Sequence, residues 1–121
     1  MHTVMIVDDA AFMRTIIKDI VCEIGCSVVA EAVNGEEAVS LYKRTRPDLV
    51  TMDITMPLMD GVTALRKIKA IDPHAKVIVC SAMSHQPMVI EAISLGAKDF
   101  IAKPVQKERV QHTIRKILEQ T

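Results

Sequence analysis

Three carboxylates, one hydroxyl and one ammonium each follow a short apolar run, and together they could hold a divalent cation and handle a phosphoryl group. Val4-Met5-Ile6-Val7 runs into Asp8-Asp9, Leu49-Val50-Thr51-Met52 into Asp53, Val77-Ile78-Val79-Cys80 into Ser81, and Phe100-Ile101-Ala102 into Lys103. Carboxylates are hard oxygen ligands suited to octahedral Mg²⁺, and they can accept a phosphoryl group covalently. A hydroxyl and an ammonium can hold phosphoryl oxygens by hydrogen bonds. Taken singly, Asp8-Asp9 is an ordinary helix cap, residues 53–60 a solvated loop, Ser81 a strand terminator and Lys103 an exposed charge. Their shared position after four apolar runs separates them from that background.

The elements that must position these groups follow from the hydrophobic pattern. Continuous apolar runs of this length between helical stretches read as buried parallel strands, with Val28-Val29-Ala30-Glu31-Ala32 as a further strand, second in chain order. Met13, Ile16, Ile17, Ile20 and Ile24 form the stripe of a first helix ended by Gly25, leaving Arg14, Lys18, Asp19 and Glu23 for solvent. Asn34 and Glu37 make a capping-box-like start for a second helix, which carries Ala38, Leu41 and Tyr42 and closes at Pro47. The third follows Asp60-Gly61, carries Leu65 and Ile68, and stops before Asp72-Pro73. Ser84 can cap a fourth, with Pro87 in its first turn and Gly96 beyond its end. Val105, Val110, Ile114, Ile117 and Leu118 give the face of a fifth.

Strict alternation predicts a single α/β domain over 1–121, a doubly wound (βα)5 flavodoxin-like fold with helices on both faces of a parallel sheet and no fused output domain. The second strand alone ends without a site residue, which fits an edge position and the order 2-1-3-4-5. Ligands bind beyond the carboxyl ends of such strands, so Asp8, Asp9, Asp53, Ser81 and Lys103 should converge. Like charges at adjacent strand ends repel in a partly desolvated pocket, and a divalent cation would relieve them. Asp53 opens a loop and suits phosphoacceptance; Asp8 and Asp9, tied to a helix start, suit metal binding.

Composition narrows the classes. The 121 residues include 15 Lys and Arg against 15 Asp and Glu, without a basic stripe, which argues against nucleic acid. Half of the residues are hydrophobic but only 2% aromatic, so the core must be aliphatic, with eight Met as fillers. No apolar stretch or cleavage signal leads the chain to a membrane, and a cytoplasmic location is expected. Cys22, Cys26 and Cys80 lack redox or zinc spacing and read as reduced structural residues; the four His residues are scattered without ligand spacing.

The strings Ile6-Val7-Asp8-Asp9, Asp53-Ile54-Thr55-Met56-Pro57-Leu58-Met59-Asp60-Gly61, Gly96-Ala97-Lys98-Asp99-Phe100-Ile101 and Lys103-Pro104 resemble the receiver domain of two-component response regulators across essentially the whole chain. The resemblance implies that Asp53 accepts a phosphoryl group from a kinase phosphohistidine. It implies Mg²⁺, or Mn²⁺ in its stead, on Asp9, Asp53 and the Thr55 carbonyl, with Asp8 acting through coordinated water. Ser81 and Lys103 would hold phosphoryl oxygens, Ser81 and Phe100 would switch together, and the Lys103-Pro104 peptide would be cis. The output face would be the fourth helix, fifth strand and fifth helix. Phe100 has no phenolic hydroxyl and should prefer the buried state. Thr55 and Met83 would flank the phosphoryl group without positioning water, so intrinsic dephosphorylation should be slow.

Asp8-Asp9-Ala10-Ala11-Phe12-Met13-Arg14, Cys80-Ser81-Ala82-Met83 and Gln86-Pro87-Met88-Val89-Ile90-Glu91-Ala92-Ile93 are similar to the CheY family of stand-alone chemotaxis receivers outside the enteric type. That likeness implies a CheA-like histidine kinase, a FliM-like flagellar switch protein, a CheC- or CheX-type phosphatase, and a monomer that works as a switch rather than an enzyme, with self-phosphorylation and autodephosphorylation as accompanying activities. A phosphorelay intermediate or other single-domain receiver is the alternative. A phosphohydrolase using an aspartyl nucleophile would need Asp-x-Asp where this chain has Asp8-Asp9, and a flavin phosphate would be repelled by the same pair.

Overall fold

The computed structural model describes residues 1–54, 56, 59–82 and 86–119. Five strands and five helices alternate: β1 Thr3–Val7, α1 Ala11–Glu23, β2 Ser27–Ala32, α2 Gly35–Thr45, β3 Leu49–Asp53, α3 Gly61–Ile71, β4 Val77–Ala82, α4 Gln86–Ser94, β5 Asp99–Lys103 and α5 Lys107–Leu118. All strand pairs are parallel and the order is β2-β1-β3-β4-β5, as expected from the sequence. The central β3 is buried at every position, whereas the edge strands β2 and β5 are mostly part-exposed. At the β2 edge the register with β1 shifts between Val4 and Met5, leaving Val29 outside the ladder.

Alternation along the strands builds two cores. Met5, Val7, Val50, Met52, Val77 and Val79 face α2, α3 and α4, meeting Ala38, Tyr42, Leu65, Ile68 and Ala92. Val4, Ile6, Leu49, Ile78, Cys80 and Ile101 face the other way, against Ile17, Ile20 and Val21 of α1 and Val110, Ile114 and Ile117 of α5. Gln111 joins these two helices by donating Nε2 to the Ile20 carbonyl at 3.1 Å. The expected stripe of α1 needs correction: Ile16 is exposed and Val21 is buried. The inward stripe centres on Ile17, Ile20 and Val21, which turns Ile16 and Phe12, four apart, onto an outer flank.

Helix starts follow the expected chemistry. Asn34 accepts from the Glu37 amide at 2.8 Å, and Glu37 Oε1 reaches back to the Val33 amide at 3.1 Å. Asp60 caps α3 by accepting from the Thr63 amide at 2.8 Å. The expected cap of α4, Ser84, lies outside the described residues. No helix among them is long and apolar enough to cross a membrane.

At the amino end of the sheet, opposite the charged strand ends, Tyr42 donates its hydroxyl to Asp72 Oδ2 at 2.8 Å, and Asp72 Oδ1 accepts the His74 amide at 3.0 Å. These two hydrogen bonds hold the Asp72 carboxyl below its ordinary value of 3.8. A group so depressed contributes stability that is complete above the ordinary value and lost as pH falls through the lower folded one. Tyr42→Phe is therefore expected to cost about 1 kcal/mol at pH 7, with the penalty shrinking below about pH 4; urea titrations at both pH values measure it. Thr51, buried in β3, has a hydroxyl without a hydrogen-bond partner. Thr51→Val removes that desolvated group and is expected to raise stability by about 1 kcal/mol in the same assay.

Candidate functional site

Register brings the charged strand ends together. Val7 pairs with Met52, which sets Asp8 and Asp53 level on neighbouring strands. Asp53 itself pairs with Cys80, and Lys103 pairs with Ala82, one residue beyond Ser81. Asp8 is 1% exposed, Asp53 6% and Ser81 3%, while Asp9 faces solvent. One carboxylate oxygen from each of Asp8, Asp9 and Asp53 lies within 4.8 Å of the others, forming the single group of three candidate metal-ligating side chains among the described residues.

Lys103 bridges two of these carboxylates. Its Nζ is 3.1 Å from Asp8 Oδ2 and 3.3 Å from Asp53 Oδ1. Burial disfavours the ammonium, but Asp53 and Asp8 outweigh it and hold the Lys103 pKa above its usual value. The lysine is thus a fixed positive charge. Three carboxylates against one ammonium leave two formal negative charges, all on oxygen, which matches a hard dication and fits Mg²⁺ chemically.

Asp8 is held at every polar atom. Its amide donates to the Ala32 carbonyl at 3.0 Å, its Oδ1 accepts the Ala10 amide at 2.9 Å, and its Oδ2 meets Lys103. Its carbonyl accepts Arg14 Nη1 at 2.8 Å, and Arg14 Nε pairs with Glu31 Oε1 of β2 at 3.2 Å. The sequence pattern assigns Arg14 to solvent, yet its side chain is only 16% exposed. A long stem lets it fold back along α1 onto the Asp8 turn, which periodicity does not report. An arginine five residues after an Asp-Asp pair was the available signal.

The main chain around Asp53 is tightly packed. The Ile54 amide donates to the Cys80 carbonyl at 3.1 Å, and the Gly61 amide to the Ile54 carbonyl at 2.7 Å. A Cβ at Gly61 would overlap the Asp53 carbonyl oxygen and come within 2.7 Å of Ile54 Cα. Gly35 approaches the same loop from α2, donating its amide to the Met59 carbonyl at 3.2 Å. Thr55 and Met83, expected beside the phosphoryl group, lie outside the described residues.

Across the site, Ser81 donates its hydroxyl to the Ala82 carbonyl at 2.9 Å. The part-buried ring of Phe100 packs on the core and, with Ser81, lines a groove of about 290 Å³ beneath Val89, Ile90 and Ile93 of α4. Cys80 is buried under the cluster; burial pushes its thiol up to about 12, with Lys103 opposing and Asp53 and Asp8 adding, so it is no nucleophile at neutral pH. The Lys103–Pro104 peptide is cis.

Comparison with known proteins identifies the family. Residues 4–115 match the family model of the response regulator receiver domain. The chain is 62% identical over 117 residues to chemotaxis protein CheY of Bacillus subtilis, covering 97% of this chain and 98% of that one. It is 60% identical to chemotaxis protein CheY of Thermotoga maritima, covering 94% and 95%. Among solved structures, the CheX–CheY–BeF3–Mg complex from Borrelia burgdorferi matches with a TM-score of 0.93 at 37% identity, covering 98% of this chain and 90% of that chain.

The close packing over Asp53 gives a direct test. Gly61→Ala is expected to lower stability by about 1–3 kcal/mol, because the new methyl must displace backbone. A urea midpoint unchanged from the parent protein would contradict that packing.

Proposed function

Because the chain belongs to the response regulator receiver family and is closely related to the CheY chemotaxis proteins, we infer that it is a switch phosphorylated on Asp53 by a CheA-like histidine kinase. The observation that carries this reading is the Lys103 ammonium, 3.1 Å from Asp8 and 3.3 Å from Asp53 at one edge of the sheet. Asp8, Asp9 and Asp53 would hold Mg²⁺, with Mn²⁺ as a substitute and the Thr55 carbonyl as a further ligand. Bound there, the cation supplies positive charge that lets a phosphate dianion approach the carboxylates.

In the transfer, an Asp53 carboxylate oxygen bonds to phosphorus as the phosphorus–nitrogen bond of the kinase phosphohistidine breaks. The imidazole leaves with that electron pair. Lys103, already paired with the acceptor, follows the charge onto a phosphoryl oxygen. Ser81 gives up the Ala82 carbonyl and donates to another. Phe100 and Ser81 line one groove, so the rotation of the hydroxyl and an inward turn of the ring are coupled, and phosphorylation shifts the population toward that arrangement.

The output surface is then α4, β5 and α5, read by a FliM-like flagellar switch protein. Thr55 and Met83 bring no acid or amide to position attacking water, which leaves dephosphorylation slow and calls for a CheC- or CheX-type phosphatase; the Borrelia burgdorferi complex of CheX with CheY supports that class of partner. Self-phosphorylation from small acyl phosphates and slow autodephosphorylation serve the switch and not turnover. The chain acts in the cytoplasm as a monomer.

Intact mass after incubation with acetyl phosphate tests the reading. The expected result is the added mass of one phosphoryl group, abolished by EDTA and by Asp53→Ala. Failure to form the adduct, together with failure to bind beryllofluoride, would overturn it.

A further inference from the structure

Arg14 joins β2 to the acidic turn. Its guanidinium forks between two oxygens, donating Nη1 to the Asp8 carbonyl at 2.8 Å and Nε to Glu31 Oε1 at 3.2 Å. The Asp8 carbonyl belongs to the peptide plane that links Asp8 to Asp9. Holding that oxygen sets the direction in which the Asp9 side chain leaves the turn. Asp9 itself is exposed and follows no further strand, so its placement depends on this peptide more than on packing. The α1 N-cap residue, Ala10, offers no side-chain hydrogen bond that could do the same.

We propose that Arg14, anchored by Glu31, is a positioning residue for divalent-cation binding, fixing the Asp8–Asp9 peptide so that both carboxylates face Asp53. This rests on the reading of Asp8, Asp9 and Asp53 as the cation-binding set. The planar fork explains why arginine stands here: an ammonium is a single point and does not span a backbone carbonyl and a carboxylate on different elements in fixed geometry. It also gives the edge strand β2 a share in the site, through Glu31, although no β2 side chain reaches the acidic cluster itself.

Calorimetric titration of the intact protein with Mg²⁺, beside the melting temperature of the metal-free protein, tests the proposal. Arg14→Gln is expected to weaken Mg²⁺ binding about tenfold, the scale of lost support behind a metal ligand. Phosphorylation by acetyl phosphate should recover in this variant at saturating Mg²⁺. Arg14→Lys should recover less than half of the lost affinity, and Glu31→Ala should weaken binding about threefold, with the double variant no weaker than Arg14→Gln alone. A lowered melting temperature with unchanged Mg²⁺ affinity would mean that the pair is merely structural and would overturn the proposal. Full recovery by Arg14→Lys, or additive losses in the double variant, would also overturn it. If Arg14→Gln does not fold, Arg14→Lys and Glu31→Ala carry the test. Absence of Mg²⁺ binding by the unsubstituted protein would instead sink the reading of the cation site, and this proposal with it.

Discussion

Carboxylates do not gather at the edge of a buried sheet without a countercharge, and the Lys103 ammonium supplies one to both Asp8 and Asp53. Parallel connectivity creates the need. Every crossover returns the chain to the same edge, so the residues at the ends of β1, β3 and β5 meet there. Two of the three carboxylates are almost wholly buried, where an unpaired charge would cost several kcal/mol. A lysine from the last strand closes the cluster, so the site is complete only when the two ends of the chain have come together.

Much of this could be read from residue order, because buried strands leave a continuous apolar signature and end on polar punctuation. The edge position of β2 was legible in its ending without a residue that reaches the cluster, which fits the observed order, and the helix starts at Asn34 and Asp60 were legible in the short-range chemistry of their side chains. Less legible were directions. Ile16 and Val21 are both apolar residues of α1, and only packing against β1 and α5 decides that Val21 turns inward. Arg14 carries a charge, and a charge on an amphipathic helix reads as solvated; its stem folds back over the Asp8 turn only in three dimensions. Glu31 has the same ambiguity on a strand. The Ser81 hydroxyl can rotate, so sequence places it at the site without saying that it bonds to the Ala82 carbonyl.

The helices divide their labour across the sheet. The α1 and α5 face holds the Asp8 turn from one side, through Arg14 and the packing of Ile17 and Ile20 against β1. The α2 and α3 face presses on the loop after Asp53, with Gly35 and Gly61 close against its described residues. Glycine is required at both because backbone meets backbone there; a Cβ at Gly35 would lie 2.5 Å from the Met59 carbonyl oxygen.

The surroundings of Asp53 are also unequally packed. Behind Asp53 the chain is clamped by Gly61 and by the Ile54 bond to Cys80. Beside it, Ser81 and Phe100 border a groove of about 290 Å³ that α4 only partly fills. A group attached to the Asp53 side chain would therefore meet packed backbone on one side and open space on the other. With β3 held at Gly61 and Cys80, the free space near Asp53 lies sideways, toward β4, β5 and α4.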